Sequence, residues 1–118
     1  MNLDFPNSTV LLQNAQKDQL YTKLVIQLKK DFALANIPIN LTNSVSPNNL
    51  IRFLHEKIYF LILEKFTDYL NLMYVIDVPE KAFKQIQVTD VVEVAEQVSF
   101  LVLRRVLQKV WLKEKYSS

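Results

Sequence analysis

The residues best suited to chemistry lie on one stretch, RFLHEKIYFLILEKFTDYLNLMYVID, residues 52–77. It carries the single histidine of the chain, His55, and a polar stripe of Lys57, Glu64, Asp68 and Asn71. On a helix those four positions project within about 60° of one another. Two carboxylates at i and i+4 repel unless a cation or a proton lies between them. The stripe therefore reads in one of two ways. It is an acid–base or ion-binding site, with Glu93 and Glu96 as further carboxylates, or it is a structural stripe neutralised by a basic neighbour. Arg105 is the leading neighbour, because it projects close to the apolar spine of its own segment, where a guanidinium needs a carboxylate. Two spaced acids on a helix are commonplace, so the structural reading leads. His55, beside Arg52 and Glu56, reads likewise as a boundary residue rather than an acid or base.

Composition removes most alternatives. The chain has neither cysteine nor glycine. Disulfides, thiolate metal sites and a cysteine nucleophile are excluded, which fits a reducing compartment and a cytoplasmic location. Phosphate-binding loops, dinucleotide fingerprints and the G-x-S-x-G elbow all need glycine and are excluded too. One histidine cannot supply the paired Glu-x-x-His motifs of a di-iron centre, and no His-Glu-x-x-His zinc motif is present. No metal or cofactor is expected. The N-terminal stretch has no basic region ahead of its apolar residues, so no signal peptide is expected. The apolar run from Ile58 is interrupted by Glu64 and Lys65, too early for a membrane-spanning helix of about 20 residues.

The basic residues suggest a third kind of partner. Arg104, Lys109, Lys113 and Lys115 accompany Trp111 and Tyr116, a mixture that suits an anionic surface or single-stranded nucleic acid. Cations near the end of a helix also simply complement its dipole. With a net charge of only +2, nucleic acid is the weaker reading.

The elements that position these residues follow from periodicity. The pattern predicts one domain over residues 1–118, all-α, as a small antiparallel bundle of three long helices and one short connecting helix. The helices are expected at about 14–36, 47–75, 79–86 and 89–116. Asn7 or Asn14 can open the first, and Pro38 stops it. Ser46 and Pro47 form a clear helix start. Residues 74–78 fit helix or strand equally, and Pro79 prevents continuation. Thr89 or Asp90, with Glu93, opens the last helix. Its spine is Val94, Val98, Val102, Val106 and Val110. An unbroken strand of that length would be far outside the normal range.

Apolar residues make up 50% of the chain. On a short chain that surplus needs a destination outside the core. Tyr59, Leu63, Tyr74, Phe100, Leu107 and Trp111 project away from the main apolar sides of their helices. The expected function is therefore non-enzymatic: a helical protein that meets a copy of itself, or another protein, through an apolar helix face. The competing expectation is a ligand-binding protein or enzyme using Lys57, Glu64, Asp68 and His55.

Overall fold

The computed structural model describes residues 2–117. These form six helices and no strand: α1 (Ser8–Lys17), α2 (Tyr21–Leu34), α3 (Pro47–Glu64), α4 (Phe66–Ile76), α5 (Glu80–Phe83) and α6 (Val91–Tyr116). Two of the expected long helices are each divided. The first breaks between Lys17 and Tyr21 and also begins earlier than expected, where the Asn7 side chain accepts from the Val10 N–H at 2.9 Å. The second breaks at one residue, Lys65, whose φ of −141° and ψ of 57° leave the helical region.

Each break has a physical reason. At the end of α1, Gln19 adopts a positive φ of 60°, the Leu20 N–H bonds the Ala15 carbonyl and the Gln19 N–H bonds the Gln16 carbonyl. This left-handed cap closes the helix and buries Leu20 against Ala15. At Lys65 the requirement is one of phase. α3 buries Leu50, Leu54, Ile58 and Leu61, whereas α4 buries Tyr69, Leu72, Met73 and Ile76. Projected along one uninterrupted helix, the two faces are out of register by roughly 50°. A single non-helical residue re-aims the second face at the core.

Residues 74–76 are helical, and α4 ends at Asp77 with φ 66°. The short connector is briefer than expected, with turn bonds carrying it on to Ile86. Asp90 caps α6 by accepting from the Glu93 N–H at 2.9 Å, while the Glu93 carboxylate takes the Thr89 hydroxyl. α6 is about 39 Å long at 1.5 Å per residue, close to the 40 Å longest extent of the molecule. Val98, Val102, Val106 and Val110 form its buried edge, and α3 packs against it more extensively than any other helix does. No helix among the described residues is long and apolar enough to cross a membrane.

Candidate functional site

Two surfaces have the makings of a site: a groove between α3 and α6, and the outward face of α3 and α4. The groove exists because both helices carry small or short apolar residues on the flank beside their shared core. Ile51 lines both of its cavities and Ala95 one of them, and residues of α5 and the start of α1 line the other. One cavity of about 470 Å³ is lined by Ile51, His55, Ile86, Glu96, Phe100 and Arg104 among others. A second, of about 430 Å³, shares Ile51, His55 and Glu96 and extends to Tyr59 and Val92. Charges of both signs rim it: Arg52, Glu56 and Glu96, with Arg104 at the far end. Arg104 itself leans over the Phe100 ring at 5.5 Å. A general base needs an orienting partner within hydrogen-bond reach. Among the described residues the His55 side chain makes no hydrogen bond to another side chain or to the backbone.

The predicted polar stripe is divided between two helices. Lys57 and Glu64 remain on α3, while Asp68 and Asn71 lie beyond the Lys65 break on α4. Asn71 is structural: its amide donates to the Ala35 carbonyl at 3.2 Å, tying α4 to the end of α2. Among the described residues no group of three or more His, Cys, Asp or Glu side chains is placed to hold a metal ion. Arg105 does take a carboxylate, but that of Asp77 rather than Glu64 or Asp68. Its guanidinium donates at 2.9 Å to both the carboxylate and the carbonyl of Asp77, and to Gln108 at 2.8 Å. The arginine thus clamps the left-handed end of α4 onto α6.

Sequence reasoning missed the most buried charge. Asp31 is only 2% exposed and accepts from Lys109 at 2.6 Å and from Gln27 at 3.0 Å. Lys109 also donates to the Ile76 carbonyl at 3.2 Å, and Lys113 donates to Gln27. A signal for this was present. Asp31 falls in the apolar series Leu24, Val25, Leu28, Phe32 and Ala35, where a carboxylate must find a cation. The same contacts engage two of the four expected basic residues, since Lys109 bonds Asp31 and the exposed Lys113 bonds Gln27. Lys115 instead lies over the Trp111 ring at 4.9 Å.

The six expected interface residues separate into three groups. Leu107 is fully buried and packs the core, so it offers nothing to a partner. On a helix with valines at every fourth position, its neighbours Leu103 and Val106 share the same buried side. Phe100 and Trp111 are half-buried and pack against the core. Tyr59, Leu63 and Tyr74 are exposed, and Phe60, Phe66 and Leu70 join them. Six large apolar side chains thus stand in solvent along residues 59–74, from 39% exposure at Tyr59 to 84% at Tyr74.

Burial raises the pKa of two tyrosines. Tyr21, whose hydroxyl donates to the Val45 carbonyl at 2.6 Å, is pushed up to about 12, and Tyr69 is also raised. Both are structural, pinning the 35–46 connection and α4 respectively. Comparison with protein-family models, with curated proteins and with solved structures finds no match to this chain.

Proposed function

We propose that this is a non-enzymatic helical interaction protein that self-associates through the outward apolar face of α3 and α4. The observation that carries this reading is the exposed series Tyr59, Phe60, Leu63, Phe66, Leu70 and Tyr74. Together these side chains present an apolar area on the order of 600 Å². The largest apolar patch on an ordinary monomer is about 300–600 Å², and each partner in a standard interface contributes about 800 Å². The apolar series alone supplies most of that requirement, and the neighbouring charged residues supply a polar rim. Within this reading the long helices stack as a bundle whose shared core is spent on α6, leaving the outer side of α3 for the partner. A cytoplasmic setting suits a chain without cysteine.

The reading is tested by sedimentation velocity on Leu63→Asp and Phe66→Asp variants. Both residues are exposed, so helix content should be unchanged while self-association weakens by a factor of ten or more. Variants that associate as the parent does would rule out this face.

The α3–α6 groove supports a second reading, a binding site for a small apolar ligand with a polar end. Its volume lies in the roughly 300–1,000 Å³ range of ligand sites, and His55 and Arg104 are its polar anchors. A ligand that stabilises the parent protein but not His55→Ala would favour it. The polar network holding Lys109 and Lys113 gives less support to a nucleic-acid role.

A further inference from the structure

The α3–α6 groove holds a cation that no carboxylate of the chain neutralises, and this charge bears on what the groove would take. Its two cavities meet at Ile51, His55 and Glu96 and extend along α6 from Val92 to Arg104, about 18 Å at 1.5 Å per residue. Ile51, Ile86, Phe100 and Leu101 give the larger cavity apolar walls, and all four are half-buried. Arg104 stands at its end, half-buried as well. The guanidinium lies 5.5 Å from the centre of the Phe100 ring, one turn back, which sets the charge along the apolar wall. Among the described residues the ion pairs are Lys23–Glu114, Arg105–Asp77 and Lys109–Asp31, and Arg104 belongs to none of them. The adjacent Arg105 commits its donors to Asp77 and Gln108.

Size and charge select the occupant. A helix is about 10–12 Å across with its side chains, so a length matching the groove fills on the order of 1,400 Å³. The cavities measure about 470 and 430 Å³, so a helix would rest on the rim, whereas a single aliphatic chain lies between the walls. Any apolar molecule seated there covers the Arg104 guanidinium and removes its water. A neutral end leaves that charge desolvated and unpaired, and a cationic end adds repulsion. An anionic end pairs with it, and the planar fork of arginine takes a carboxylate through two bonds. Glu96 lines both cavities, but it is exposed and lies about 12 Å from Arg104 along the axis of α6. The second cavity sets Glu56 and Glu96 against the single base Arg52, so an anionic head is disfavoured there. We infer that the groove binds a single-chain amphiphile of the fatty-carboxylate class, its head on Arg104 and its chain running past Ile51 towards Val92, an assignment that rests on the groove reading and is independent of self-association.

Three probes that share one chain and differ in head charge test this: decanoate, decan-1-ol and decyltrimethylammonium, each titrated by calorimetry below its micellar concentration. Decanoate should bind the parent about tenfold or more tightly than either of the others. Arg104→Met should bring decanoate down to the level of the alcohol, and Arg104→Lys should keep part of the preference. Ile51→Trp, at the point where the cavities meet, should weaken all three probes. Circular dichroism checks that each variant keeps the helix content of the parent. If the three probes bind the parent equally and Ile51→Trp weakens them all, the groove reading stands and the anionic class is overturned. If none of them binds, both fall. Decanoate binding that survives both Arg104→Met and Ile51→Trp but is lost in Leu63→Asp belongs to the outer face of α3 and α4, and overturns the inference as well.

Discussion

Gln19, Asn36 and Asp77 stand where other chains place glycine. Their φ values are 60°, 59° and 66°, and each follows a helix as its left-handed cap. The three caps share one bond pattern, in which the residue after the cap reaches back five positions: Leu20 to Ala15, Ile37 to Phe32 and Val78 to Met73. All six of these residues are buried and apolar, so each cap also seals a core contact. A residue with a Cβ holds this conformation at a cost of about 1 kcal/mol. Gln19→Gly should therefore stabilise the protein by about 0.5–1 kcal/mol, read from the midpoint of urea unfolding. Asp77→Gly should fail to do so, because it removes the carboxylate that Arg105 grips. The Asn36 and Asp77 stops are legible in the sequence, since Asn and Asp tolerate the left-handed region and a proline follows each within two residues. Gln19 carries no such signal, which is why periodicity alone runs a single helix through it. Tyr21 gives a residue-scale pH prediction. Its folded-state value of about 12 lies above the ordinary 10, so the folded form binds its proton more tightly than the unfolded chain. Its contribution is complete below about pH 10 and declines as pH rises from about 10 towards 12. Denaturation midpoints measured over that window should fall, and should fall less steeply in Tyr21→Phe.

Among the described residues two polar side chains are buried: Ser99, which bonds within α6, and Asp31, where α2, α4 and α6 meet. There Asp31 and Lys109 form an ion pair in which Asp31 is almost wholly desolvated. Removing one member of such a pair strands the other, at a cost of about 3 kcal/mol. Asp31→Ala should show a loss of that order in chemical denaturation. Asp31→Leu combined with Lys109→Met should recover most of it, because neither charge is then left unpaired. The helical class, the valine spine of α6 and the cap at Ser46 can all be read from periodicity and end signals, because they are local. The division of the central helix at Lys65 cannot. No proline or glycine marks it, and the break answers to where the core lies relative to two faces, which is a tertiary fact. The same limit explains the polar stripe. Lys57 and Glu64 share one side of α3, while Asp68 and Asn71 lie beyond the break on α4, where Asn71 bonds the Ala35 carbonyl. Leu107 projects outward only when one helix is considered alone, whereas α6 is covered on more than one side and buries it.

For the whole molecule, the radius of gyration is 13.5 Å, the value of about 13.5 Å typical of a well-packed chain of this length. The exposed apolar side chains are therefore not the result of a loosely packed interior. The accessible surface is 7223 Å², against roughly 6,600 Å² for an ordinary monomer of this size. The molecule is also elongated, 40 × 28 × 25 Å, a shape that carries more surface than a sphere of the same volume. Docking the outward face of α3 and α4 on a copy would bring the surface per chain below the monomer value. The most direct measurement is the molar mass by light scattering coupled to size exclusion, over about a hundredfold range of concentration. The mass should rise towards twice the 13.8 kDa of one chain, and Leu63→Asp should hold it at the single-chain value. A parent protein that remains at the mass of one chain at the highest concentration would contradict self-association through this face.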